Sequence, residues 1–114
     1  MAQVMALDGL QTSPTAWMFE GGPHAGTGFS FFVTATPPGK GPGLHVHPYT
    51  EVFIVERGEA TFTVGEEQLV VAAGNVVIVP PETRHGFKNR TGEPLRVVSV
   101  HDSPTVIQTW LEED

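Results

Sequence analysis

Residues 39–58 read GKGPGLHVHPYTEVFIVERG, and the character of the chain changes within them. The segment from Pro37 to Gly43 is crowded with proline and glycine. Proline has no amide hydrogen to give a ladder and glycine is costly inside a strand, so the segment is a loop. From Thr50 to Arg57 the side chains alternate instead. Glu51, Phe53, Val55 and Arg57 fall on one face of a strand and Val52, Ile54 and Glu56 on the other. His45 and His47, two positions apart on an expected strand Gly43 to His47, also share a face. Glu51 therefore keeps company with bulky apolar side chains. A carboxylate so placed costs free energy unless it is paired or bound to a cation, and a metal held by His45 and His47 next to it would supply that charge.

The second informative stretch is GNVVIVPPETRHGFKN, residues 74–89. His85 follows the Pro80-Pro81-Glu82 turn and alternates with Phe87, while Arg84, Gly86 and Lys88 are expected to face out. His45, His47, Glu51 and His85 then make a nitrogen and oxygen donor set suited to one divalent transition metal per chain, Fe(II), Mn(II), Ni(II) or Zn(II). Each residue alone is as easily a hydrogen-bonded core residue; the joint pattern points to the metal.

Outward from these stretches, short β-rich runs alternate with turn clusters and no helical period persists. Strands are expected at Ala16 to Glu20, Gly28 to Ala35, Gly43 to His47, Thr50 to Arg57, Ala60 to Val64 and Gln68 to Ala72. Four more follow at Val76 to Val79, Arg84 to Lys88, Leu95 to His101 and Val106 to Trp110. Turns at Arg57-Gly58-Glu59, Gly65-Glu66 and Ala73-Gly74-Asn75 suggest hairpins and hence a meander. The glycine-rich run from Gly21 to Gly28 is expected to be a flexible loop, and Glu112-Glu113-Asp114 a solvated tail.

The 114 residues suit one domain, residues 1–114, around one core. With 13 glycines and 10 prolines the composition favours an all-β fold. A net charge of −7, with only 6 lysines and arginines, argues against nucleic acid and anionic membrane as partners, so a small molecule is expected. No apolar run is long enough for a membrane span and the first ten residues lack a signal-peptide pattern, which makes the cytoplasm the expected compartment. The absence of cysteine excludes disulfides, thiolate metal sites and thiol nucleophiles.

At Gly39, His45, His47, Glu51 and Gly58, and again at Gly74, Pro80, His85 and Asn89, the chain resembles the cupin superfamily. The first cupin motif is matched without departure. The second departs at Glu82, where the pattern has glycine, implying either a turn that does not need positive φ or local strain. The resemblance implies an antiparallel jelly-roll barrel, a double-stranded β-helix, with the metal inside on His45, His47, Glu51 and His85 and one or two coordination positions open. It gives Gly58 and Asn89 structural roles.

Phe31, Tyr49, Phe53, Phe87, His24 and His101 are candidates for the mouth of such a site, with core packing the plainer reading for the aromatics. His101 shares its strand face with Val97 and Ser99, which would set an imidazole near the metal as a general base. Arg84 and Arg96 could bind a substrate carboxylate or be surface charge. The expected function is a metal-dependent enzyme acting on a small, partly apolar molecule, by dioxygenase, isomerase, lyase or cyclase chemistry. The alternatives are a non-catalytic small-ligand module with a metal anchor, and a closed structural metal site. Trp17, Phe19, Val106, Ile107, Trp110 and Leu111 leave apolar surface that a homodimer would bury.

Overall fold

The computed structural model describes residues 1–112; Glu113 and Asp114 of the expected acidic tail lie outside them. Glu112 is exposed, as a solvated tail should be, and its Oε1 accepts from the Leu44 amide at 3.3 Å.

The chain folds into two antiparallel sheets packed face to face. In chain order the strands are β1 (Gln11–Ser13), β2 (Ala16–Glu20), β3 (Ser30–Thr36), β4 (His45–Val46), β5 (Glu51–Arg57) and β6 (Glu59–Val64). They continue as β7 (Glu67–Ala72), β8 (Val76–Val79), β9 (His85–Lys88), β10 (Leu95–His101) and β11 (Thr109–Trp110). One sheet has six strands in the order β1-β2-β3-β10-β5-β8, the other five in the order β11-β4-β9-β6-β7. This is the expected all-β jelly roll. The meander reading fails at two turns. Only Gly65-Glu66 closes a hairpin between paired strands, β6 and β7, whereas Arg57-Gly58-Glu59 and Ala73-Gly74-Asn75 carry the chain from one sheet to the other. Turn chemistry signals a reversal and not which sheet receives the next strand.

Alternation decides the core. Phe53 and Val55 of β5, Phe62 of β6, Val77 and Val79 of β8, Phe87 of β9 and Leu95 and Val97 of β10 are buried between the sheets. Burying each side chain of this kind contributes roughly 1.5–3 kcal/mol. Phe62 lies opposite Phe87 across the ladder, and Phe53 packs edge-on to both, so the aromatics fill one end of the sandwich. The other end is left to the histidines.

The two motif stretches are tied together at their ends. Gly39 donates its amide to the Asn89 carbonyl at 2.7 Å, and the Asn89 amide donates to the Lys40 carbonyl at 2.8 Å. The fully buried Asn89 side chain donates to the Thr36 and Glu93 carbonyls at 3.0 and 2.8 Å and accepts from the Thr91 amide and hydroxyl. This clamp brings the proline-rich loop over β9 and leads the chain into His45. Gly86 was expected on an open outer face, but Pro42 and Gly43 cover it: a Cβ there would meet the Pro42 carbonyl oxygen at 2.8 Å. At the opposite corner Gly58 has φ +83°, and a Cβ would lie 2.4 Å from the Pro94 carbonyl oxygen, so only glycine fits.

Other departures are local. Residues Gly21–Ala25 form a short α-helix, α1, stopped by Gly26 at φ +64°, instead of a flexible loop. Of Gly43 to His47 only His45–Val46 joins a ladder, and of Val106 to Trp110 only Thr109–Trp110. A 3₁₀ turn at Leu7–Leu10 and strand β1 precede the first expected strand. Among the described residues no helix is long and apolar enough to cross a membrane.

Candidate metal centre

The four residues nominated as ligands are brought together. His45, His47, Glu51 and His85 each offer an atom within 4.8 Å of the others, and all four side chains are buried. The fold explains the convergence. His45 lies opposite His85 across the β4–β9 ladder, His47 shares the face of His45, and Glu51 opens β5 in the facing sheet.

Each histidine is oriented through its outer nitrogen. Nδ1 of His45 lies 2.8 Å from the Gly43 carbonyl, Nδ1 of His47 2.8 Å from that of Ile107, and Nδ1 of His85 2.8 Å from that of Thr83. A carbonyl oxygen only accepts, so all three Nδ1 atoms carry hydrogen and the Nε2 atoms turn inward. There two of them face one oxygen: Glu51 Oε1 lies 2.9 Å from His47 Nε2 and 2.8 Å from His85 Nε2. An imidazole lone pair aimed at a carboxylate needs a cation between them. Moreover, the 2.9 Å approach of His47 Nε2 to Glu51 Oε1 lacks hydrogen-bond geometry, so this fully buried nitrogen has no hydrogen-bond partner. Bare, convergent nitrogen donors beside a carboxylate are the donor chemistry of a divalent transition metal, and the cluster could hold one.

The electrostatics agree. Burial alone would raise the Glu51 carboxyl, but its contacts with the imidazoles of His101, His47 and His85 hold it well below the usual carboxylate range. Burial lowers the His45 imidazole to about 4, with the Gly43 hydrogen bond opposing and the neighbouring His85 assisting. Glu51 is thus ionised and His45 neutral at neutral pH, the protonation states that ligands require.

A cavity of about 530 Å³ opens onto His45, Glu51 and His101. Its walls are largely apolar, with Phe32, Phe53, Phe87, Val97 and Trp110 among them, and the turn Ser13 to Ala16, Lys40 and Gln108 also line it. Of the nominated mouth residues Phe53, Phe87 and His101 line it, while Phe31, Tyr49 and His24 do not. Phe31 points to the opposite face of β3 from Phe32. His24 stacks on Phe19 with ring centroids 5.3 Å apart, and its Nδ1 lies 2.8 Å from the Glu20 carbonyl. Arg84 and Arg96 pair on the surface with Glu66 and Glu56 at 3.3 and 3.0 Å.

His101 is fully buried and both its ring nitrogens are engaged. Nε2 lies 3.0 Å from Glu51 Oε2 and Nδ1 lies 2.7 Å from the Tyr49 hydroxyl. Sequence reasoning missed the contributions of the last segment. The Ile107 carbonyl orients His47, and Trp110, opposite His45 in the β4–β11 ladder, packs on that ring at 4.7 Å. A backbone carbonyl carries no residue-type signal, and the tryptophan signalled only apolar surface.

Comparison with known proteins agrees with this architecture. The cupin domain family model matches residues 31–101, which include every nominated ligand. An uncharacterised protein of Streptomyces coelicolor is 43% identical over 58 residues, 51% of this chain and 54% of that protein. Among solved structures, oxalate decarboxylase of Bacillus subtilis, described for its Mn(II) centres, superposes with a TM-score of 0.79 at 21% identity, over 87% of this chain and 29% of its own. Oxalate decarboxylase of Lactobacillus farciminis, in a formate complex, has a TM-score of 0.76 at 24% identity, over 84% of this chain and 30% of its own. An oxalate oxidase gives 0.76 at 21%, over 88% and 57%. This chain spans little more than half of these proteins at most, and at such identities the likeness is one of fold. With the family model covering more than half of the sequence, the chain belongs to the cupin domain family.

Proposed function

We propose that His45, His47, Glu51 and His85 hold one divalent transition metal and that the protein is a metal-dependent enzyme acting on a small organic molecule with an apolar body. The observation that carries this reading is the common orientation of three imidazoles, each donating Nδ1–H to a backbone carbonyl, with Nε2 of His47 and His85 meeting Glu51, at the end of an apolar cavity. A metal there supplies a Lewis acid or, as iron or manganese, a redox centre. The chain supplies the rest: Phe32, Phe53, Phe87 and Trp110 bind the apolar part of the ligand and exclude water. The Mn(II) centres of the Bacillus subtilis decarboxylase support manganese among the candidate metals. Oxalate itself is less well supported, because among the described lining residues Lys40 is the one lysine or arginine and the walls suit an apolar body better than a small dianion.

A second reading, a non-catalytic ligand module anchored by the metal, is favoured by one feature. Both nitrogens of His101 are engaged, which leaves the cavity without an uncommitted imidazole. Metal content decides the common ground of both readings. Elemental mass spectrometry of tag-free protein purified without chelators should find about one metal per chain, lost in His47→Ala. No metal in either protein would overturn the proposal.

We also infer a homodimer, moved from the terminal segments expected to form it, where Trp17, Phe19 and Val106 are already half-buried and Trp110 packs on His45, to the outer face of the six-stranded sheet. Val52 and Ile54 of β5 lie opposite Ile78 and Val76 of β8, and Val98 and Val100 of β10 lie opposite Ile54 and Val52. Val76 and Ile78 are 57% and 66% exposed on an edge strand, and a second copy would bury them.

A further inference from the structure

We propose that His101, backed by Tyr49, is a positioning residue that occupies one carboxylate oxygen of Glu51 and leaves only the other for a metal. The inference rests on reading the site as a metal centre. It follows from counting hydrogens. The Ile107 amide donates to the Tyr49 hydroxyl oxygen at 3.3 Å, and a backbone N–H cannot accept in return. The hydrogen of that buried hydroxyl then goes to the acceptor beside it, His101 Nδ1 at 2.7 Å. Nδ1 is therefore bare and the ring hydrogen sits on Nε2, which faces Glu51 Oε2 at 3.0 Å and donates to it, the Ser99 hydroxyl standing farther off at 3.5 Å.

His101 is thus the opposite tautomer to His45, His47 and His85. Those rings carry hydrogen on Nδ1 and offer lone pairs inward; His101 offers a hydrogen. Oε2 is tied back to β10 and Oε1 is the oxygen aimed at His47 and His85, so Glu51 would hold a metal through one atom. A one-point grip leaves more of the coordination sphere for a ligand entering from the cavity, whose wall includes both Glu51 and His101.

The test uses the chelator-stripped full chain titrated with cobalt(II), reading affinity and the visible d–d bands, with thermal unfolding of each metal-free variant as the folding control. His101→Leu should weaken cobalt binding about tenfold and alter the bands. His101→Gln, whose amide can still donate to Oε2, should stay close to the wild type in both. Long-range proton–nitrogen NMR of the metal-free wild type should show His101 as the Nε2–H tautomer, and Tyr49→Phe should shift it toward Nδ1–H. The proposal is overturned if His101→Leu leaves affinity and bands unchanged, if Gln and Leu are equally impaired, or if the wild-type ring carries hydrogen on Nδ1. Should His101→Leu not fold, Tyr49→Phe and the wild-type tautomer decide. A wild type that takes up no cobalt overturns the metal reading and this proposal together, whereas binding that is indifferent to residue 101 overturns only the latter.

Discussion

Glu82 donates its backbone amide to the carbonyl of His47 at 2.8 Å while holding φ at +59°. The turn before His85 is thereby pinned to the strand end that carries another ligand of the candidate site. It needs the left-handed region at a position where the second cupin motif has glycine, so of the two alternatives raised by that departure, strain is the one observed.

Glu82→Gly should therefore stabilise the protein. The left-handed conformation costs a residue with a Cβ roughly 1–2 kcal/mol, and the looser unfolded chain of the glycine variant returns about 0.4–1 kcal/mol of that. A net gain of up to about 1.6 kcal/mol should appear as a higher urea midpoint at unchanged slope. A lower midpoint would mean that the exposed Glu82 side chain makes a compensating interaction.

Much of the centre was legible because its residues are close in sequence or obey a two-residue period. His45 and His47 had to share a face, and Glu51 begins the strand whose Phe53 and Val55 define the core. The distant His85 was marked by its place after the Pro80-Pro81-Glu82 turn and its alternation with Phe87, and the family pattern added the jelly roll. What stayed hidden depends on tertiary neighbours. The Tyr49–His101 bond spans 52 positions, the Ile107 carbonyl has no side-chain signature, and the crossing of the chain between sheets at Gly58 and Gly74 looks like an ordinary hairpin turn. Helix α1 escaped because Gly21-Gly22-Pro23 has little intrinsic helicity; it is held by bonds from Gly22 to the Pro104 carbonyl and from Thr27 to Gly21.

Metal should stabilise the fold strongly, since the site assembles only when β4, β5 and β9 are in place. At free metal one hundred times its Kd the gain is about 2.7 kcal/mol, or a rise in Tm on the order of 10 °C. Differential scanning fluorimetry of stripped protein with and without manganese, iron, nickel and zinc would rank the candidates. His85→Ala should show no such rise with any of them, and a response equal to that of the wild type would remove His85 from the ligand set.

Ile78→Lys should halve the mass measured by light scattering, because it sets a charge in the middle of the apolar outer face without touching the core; Ile78 is 66% exposed. Trp110→Ala is the contrasting variant. Trp110 belongs to the edge of the other sheet and packs on His45, so its loss should loosen the cavity wall and leave the mass unchanged. A wild type that is monomeric at every concentration would eliminate the dimer.

Acid should destabilise the metal-free protein in two successive windows. The His45 imidazole is lowered from 6.5 to about 4 in the fold, so between those values the unfolded chain binds a proton that the folded chain refuses. Stability therefore declines as the pH falls from 6.5 toward 4. Glu51 acts in the same direction further down: its folded carboxyl lies well below 4.5, and the stability it confers, present above 4.5, is lost as the pH drops through the folded value. Tm measured on chelator-treated protein should thus fall by several degrees between about pH 7 and pH 4. His45→Gln separates the two groups, since it removes the titrating ring and keeps a polar side chain. Its Tm should be flatter across the upper window and should still collapse in the lower one. A variant as steep as the wild type between 6.5 and 4 would show that another group takes up the proton.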